Sequence, residues 1–294
     1  MVKNVHLDLG EEIGITMIMS NLWSRLNYKS TAKYILNTYI TEYDLSKANI
    51  NALLYTGRID EARYNELLNL PKEQREITVG LMIQKDNSIY KSIQEGIIEA
   101  KKRLFDANDI EDYDVLSIRN DAVFIHSRKL NTTEFPPYFI FKEKGKYNMF
   151  MSICDLDVFY NDTINPDGSV NYQLDIKGIS EEKTLLHANG IGGLLCEVMY
   201  RLQREDVSLT IQWMTGILEK YLNRQLPKEF YREFNSDSDY VIRTFKMRIA
   251  SKDIPDGLIP ALDINRNLLV IRDIMEILTS IHISNLQRNK HSRR

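Results

Sequence analysis

The sequence predicts an α+β fold: a mainly antiparallel sheet backed by helices and followed by a C-terminal helical region. Three observations carry this. Residues 47–105 read as helix in pieces, and the clearest piece is Ser88 to Phe105, where Ile89, Ile93, Ile97, Ala100 and Leu104 recur on one face. Residues 114–177 are instead β-branched and apolar runs divided by turn signals. From about Ser180 the helical pattern returns and runs to His282. Helices, then strands, then helices is the order of an α+β chain.

Each element follows from local chemistry. Ile13, Met17, Leu22 and Leu26 lie near helical spacing, so residues 13–36 are expected to form a helix. Tyr39 to Tyr43 is a short β-prone run that ends at Asp44. Breaks are expected near Gly57 and before Pro71. Lys101, Lys102 and Arg103 close the long helix, where its dipole favours cations. Asp114–Ile118 and Ala122–Ile125 flank Asn120-Asp121, residue types that tolerate the positive φ of a tight turn, so a hairpin is expected there. Strands are expected at Tyr138–Lys142, Tyr147–Ile153, Asp157–Tyr160 and Val170–Lys177, with Asn165-Pro166-Asp167-Gly168 turning the chain between the last two.

Composition narrows the function. A chain of 294 residues with 43% hydrophobic and 27% charged residues can bury a sizeable core. A formal net charge of −3 excludes a wholly basic nucleic-acid coat and leaves room for a local basic groove. Cys154 and Cys196 are too few for a disulfide framework and are expected in the core, in a reducing compartment. The histidines are scattered without ligand spacing, so zinc is not expected. No basic start with an apolar run and no 18-residue apolar stretch occurs, so the expected location is the cytoplasm, with no membrane partner. The run His187-Ala188-Asn189-Gly190-Ile191-Gly192-Gly193 lacks the Lys-Ser/Thr of a phosphate loop and reads as a connection between helices.

Two acidic segments carry the chemistry. In Glu42-Tyr43-Asp44-Leu45-Ser46-Lys47-Ala48-Asn49-Ile50-Asn51 a strand ends on a carboxylate and the chain turns into a helix. The segment resembles motif A of family A DNA polymerases: Asp44, Ser46 and Ile50 match, while Asn49 and Asn51 stand where that family has Glu and Arg. Tyr113 to Ile125 resembles motif C, a strand–turn–strand with acidic residues at its tip. Aligned with family B, Asp121 is the second Asp, Val123-Phe124 match, and Arg119 replaces the first Asp. Aligned with family A, Asp121 takes the Glu position and Asn120 that of the essential Asp. Lys177-Gly178 resembles the second half of the family B Lys-x-Lys-Gly segment, with Asp175 in place of its first Lys.

In family order these elements resemble the palm of a template-dependent DNA polymerase, best over residues 38–180, and a viral or phage-type minimal, split or degenerate member is indicated. The resemblance implies three parts: an N-terminal helical segment (1–37), a polymerase-palm-like sheet (38–180) and a helical thumb-like region with a basic tail (181–294). It implies nucleotidyl transfer with two Mg²⁺ (or Mn²⁺) ions held by Asp44 and Asp121. Ser46 and Lys47 would meet the nucleotide; Lys177, Gly178, Lys101, Lys102, Arg103 and the basic tail would contact a DNA or RNA primer-template. About 40 residues between Asp44 and the long helix leave little room for fingers, so a second polymerase chain is an expected partner. A catalytically inactive palm that binds nucleic acid or a polymerase is the alternative. The strand before Asp44 should then lie beside the Asp121 hairpin, with helix 88–105 behind it.

Overall fold

The computed structural model describes residues 21–154, 156–179, 188–231, 241–242, 247–248 and 264–291. The fold is α+β, with two main antiparallel sheets and helices on their outer faces. The first sheet runs in the order β1-β4-β5-β3-β7-β6, built from Asn27–Lys29 (β1), Ile40–Leu45 (β3), Val115–Arg119 (β4), Ala122–His126 (β5), Glu134–Phe135 (β6) and Phe139–Tyr147 (β7). Between β3 and β4 lie four helices: Ala48–Tyr55 (α1), Glu61–Leu68 (α2), Lys72–Lys85 (α3) and Ser88–Asn108 (α4). Since β5 is antiparallel to both β3 and β4, those two are parallel and joined by the helical crossover, with β5 inserted between them.

Strand β3 is the centre of this sheet and is covered on both faces. Tyr43 and Leu45 pack with Val123, Ile125 and Ile118 against Ile93, Ile97, Ala100 and Leu104 of α4. On the other face Ile40 joins Ala122, Phe124, Phe150 and Phe159. Helix α1 crosses α4 at a point with no spare room: a Cβ on Gly96 would come within 2.5 Å of the Ala52 Cβ. The local signals act as expected: Gly57 at φ 67° ends α1, Asp60 caps α2 by accepting from the Arg63 amide at 2.8 Å, and Asn120 turns the hairpin at φ 52°.

The second sheet has the order β10-β9-β8-β2, from Tyr34–Ile35 (β2), Met149–Ile153 (β8), Leu156–Ile164 (β9) and Val170–Lys177 (β10). Its outer face shares a core with Ile191–Arg204 (α5), Val207–Leu222 (α6) and Ile264–His291 (α7), through Leu194, Val198, Met214, Ile274 and Leu278. The sheets meet at Phe124 and Phe159, stacked at 4.3 Å, and at an ion cluster. There the fully buried Asp157 receives Arg119 at 2.6 Å, the Ser117 hydroxyl at 2.7 Å and Lys29 at 3.7 Å. No helix among the described residues is long and apolar enough to cross a membrane.

Three expectations are corrected. The N-terminal helix over 13–36 is not formed in its described part: Leu22–Ser24 is one 3₁₀ turn, and β1 and β2 pair with β4 and β8. Ladder pairing offered by two waiting sheet edges outweighs a weak helical periodicity. The C-terminal helix, expected to end at His282, runs on to His291, because α7 is already nucleated by buried Val270, Ile271, Ile274, Ile277 and Ile281, and further turns add at small cost. Cys154 is exposed in the turn after β8 and Cys196 is half-buried, so neither is a full core residue.

Candidate active site

The end of β3 and the tip of the β4–β5 hairpin meet because their strands are paired. Asp44 lies opposite Ala122, and the Leu45 amide donates to the Asp121 carbonyl at 3.1 Å. Both carboxylates line one cleft of about 430 Å³. Burial and the neighbouring charge of Asp44 push the Asp121 carboxyl above its usual range.

The rest of the cleft is basic. Lys47, Lys72, Arg75, Lys142 and Lys144 face Asp44, Asp121 and Glu76 across it. Lys142 stands directly opposite Asp44 in the β3–β7 ladder, and Lys144 approaches the same carboxylate at 3.9 Å. Ser46 to Ile50 form the third wall. Lys47 takes the left-handed conformation, φ 55°, so the chain turns at once from strand to helix, and no side chain caps the helix that begins at Ala48. The first amides of α1 therefore add a partial positive charge to the wall. Asn51, standing where the resembled family has Arg, braces this turn: its amide donates to the Ser46 carbonyl at 2.8 Å and accepts from the Tyr64 hydroxyl at 2.7 Å.

Of the residues singled out in the sequence, Asp44, Asp121, Ser46 and Lys47 come together here. Others do not. Lys101, expected on the surface as a phosphate contact, is wholly buried, because its position on α4 faces the sheet. Lys102 is exposed and lies over Trp23, with 5.6 Å to the ring centroid, while Arg103 is half-buried and bonded to Glu99 at 2.9 Å. Lys177 lies at the end of β10, just before Gly178 at φ 109°, and is ion-paired with Asp175 at 2.9 Å and Glu42 at 3.3 Å. Burial works against its charge, and the two acids more than offset that. It is no open phosphate contact.

Glu76, the third acid lining the cleft, lies 3.9 Å from Lys72 and forms no three-acid metal group with Asp44 and Asp121 among the described residues. Glu42 belongs to Lys177 and Tyr147, and Asp114 receives Arg128 at 3.0 Å. Arg119, which the family B alignment sets at the first motif C Asp and the family A alignment does not, is committed to Asp157. Among the described residues no group of three or more His, Cys, Asp or Glu is placed to hold a metal. The donors present are hard oxygens, which suit Mg²⁺ or Mn²⁺ with water and phosphate oxygens as further ligands. The sequence reading missed Lys72, Arg75, Lys142 and Lys144 as lining residues. Lys142, Lys144 and Lys146 alternate along a strand, and that period of two was the available signal. The glycines at 190 and 193 serve packing: a Cβ at either would strike the Glu229 or Ala188 carbonyl, at 2.3 and 2.4 Å.

The family model for the Bacteriophage PBS1 gene 130 protein matches residues 17–280. The chain belongs to that family. Its members are phage proteins by that description, which agrees with the phage-type expectation. No curated protein matches the chain. The matched span of the gene 130 family takes in the whole cleft and both sheets.

Gly145 fixes the wall between β3 and β10. The Tyr147 ring folds back over it, so a Cβ there would lie 2.3 Å from the tyrosine oxygen. From that position the buried Tyr147 hydroxyl donates to Asp175 at 2.7 Å and to Glu42 at 3.3 Å, and burial together with Asp175 pushes its ionisation well above the usual range. Gly145→Ala is expected to cost about 1–3 kcal/mol in chemical denaturation. In a Tyr147→Leu background the same change should be nearly neutral; an equal cost there would show that the tyrosine is not what the methyl meets.

Proposed function

We propose that this chain is a palm-like nucleotidyltransferase that acts on a primer-template in the cytoplasm of the phage's host, as a trimmed polymerase or one chain of a split one. The observation that carries the reading is that Asp44, at the end of β3, and Asp121, at the tip of the paired β4–β5 hairpin, line a single basic cleft. Asp44 and Asp121 would hold Mg²⁺ or Mn²⁺, which when bound neutralises charge at the attacking and leaving oxygens. Lys72 and Arg75 of α3, with Lys142 and Lys144 of β7, would bind triphosphate oxygens from two sides. The uncapped start of α1 would receive another phosphate oxygen on its amides. Helices α2 and α3 thereby take the role of the missing fingers.

The lack of a three-acid metal group among the described residues and the Arg119–Asp157 pair favour a second reading, a catalytically inactive palm that binds nucleic acid or a polymerase partner. Primer extension with Mg²⁺ and Mn²⁺, run beside a salt titration of nucleic-acid binding, separates the two. Metal-dependent extension that is lost in Asp121→Asn supports the transferase. Binding without extension, with log affinity falling by about 0.9 per neutralised phosphate against log salt, supports the inactive palm. Absence of binding at low salt overturns the transferase and leaves an inactive palm directed at a protein partner.

A further inference from the structure

Lys101 is out of place by the ordinary rules of a core. It is 0% exposed, on the face of α4 that packs against β3, β4 and β5. Lysine is almost never fully buried unless paired, since taking an ammonium out of water is costly. Its ammonium donates to the Arg25 carbonyl. The charge that acts on it is Asp121, and Lys101 in turn is one of the charges that oppose the upward shift of that carboxyl. Burial lowers the Lys101 ammonium to about 8 even with the charge of Asp121 working against that shift.

The backbone links the same groups. Arg25, which takes the ammonium, precedes Leu26, whose carbonyl accepts the Asn120 amide at 2.6 Å. Asn120 and Asp121 form the hairpin tip, and the Asp121 carbonyl accepts from Leu45, next to Asp44. One connected path therefore joins Lys101, the 25–26 segment, the tip and the end of β3.

We infer that Lys101 is a positioning residue for Asp121, a resident counter-cation that balances the Asp44–Asp121 pair from the α4 side of the sheet and holds the hairpin tip when no divalent ion is bound. The part of this that concerns divalent ions rests on reading Asp44 and Asp121 as a cation site; the coupling of Lys101 to Asp121 does not. A fixed cation behind the site opposes a divalent ion entering from the cleft, so the chain gains tip order without metal and loses affinity for it. With one carboxylate fewer than a polymerase palm, the site relies on this lysine to stay assembled.

A double-mutant cycle in EDTA tests the coupling on the full chain. Lys101→Met is expected to lower the folding constant while Asp121 is present and to raise it in Asp121→Asn, where the lysine has lost its counter-charge. The coupling should be on the order of tenfold. Additive effects would overturn the assignment. Lys101→Gln keeps a donor for the Arg25 carbonyl without charge and should behave as Met does; a glutamine equivalent to lysine would overturn the counter-cation role in favour of a plain hydrogen bond. Mn²⁺ titration then tests the competition: Lys101→Met should bind about tenfold more tightly or better, since a like charge has been removed. Equal affinity overturns the competition. Coupling in the cycle with no Mn²⁺ binding by either protein would sink the cation-site reading and leave Lys101 as the partner of Asp121.

Discussion

Asp44→Asn is expected to abolish a stabilisation by Mn²⁺ or Mg²⁺ that, on the proposed reading, the wild-type chain should show. A ligand at a hundredfold excess over its Kd adds about 2.7 kcal/mol, which a thermal melt reads as a shift of several degrees. Asp44 and Asp121 line the cleft together, so deleting the Asp44 charge leaves two carboxylates, Asp121 and Glu76, among five basic side chains. Metal-dependent primer extension should fall by about a thousandfold or more, because the ion contributes several kcal/mol at the reacting oxygens. In EDTA the same variant should be as stable as wild type or more so, since the repulsion that raises Asp121 is gone. A metal-induced shift that survives Asp44→Asn would place the ion elsewhere and remove the main support for the transferase.

The largest effect on folding is expected from Gly96→Val. Helix α1 lies against α4 so closely that a Cβ at position 96 would sit 2.5 Å from the Ala52 Cβ and 2.6 Å from its Cα. The second distance is to backbone, so no rotamer change relieves it and α1 itself must move. Replacing a helical glycine normally gains up to about 1 kcal/mol of propensity, and the clash must exceed that gain. A net loss of about 3 kcal/mol is expected in urea or guanidinium denaturation, a large part of the stability of an ordinary domain. Because α1 begins at the turn after Asp44, the folded remainder should also bind Mn²⁺ and nucleotide more weakly. A wild-type midpoint would mean that the helices can separate without cost.

The two results address different links of one chain of causes. Asp44 acts in the cleft, whereas Gly96 acts on the helix that carries the wall of the cleft. If Gly96→Val weakens metal binding in proportion to its loss of stability, positioning of α1 is the route. If binding survives in the folded fraction, the β3–β5 pairing alone assembles the acids.

What the sequence determined by itself was local. The hairpin at Asn120-Asp121, the turn at residues 165–168, the breaks at Gly57 and Pro71 and the buried face of α4 each follow from φ preferences or from periodicity within a few residues. The order of Asp44, helix and hairpin was likewise enough to expect the two acids on neighbouring strands, since a strand, a crossover and a hairpin have few ways to share one sheet. The tertiary structure alone decided which charges are available to a ligand. Lys101, Lys102 and Arg103 are one basic run in sequence, but helical geometry points them 100° apart, so one is buried against the sheet, one is exposed and one is paired. Lys177 is spent on Glu42, 135 residues away, and Arg119 on Asp157, while Lys72, Arg75, Lys142 and Lys144 converge on the cleft from separate elements. Charge pairing depends on distance in space at a few ångströms, and separation along the chain carries almost none of that information.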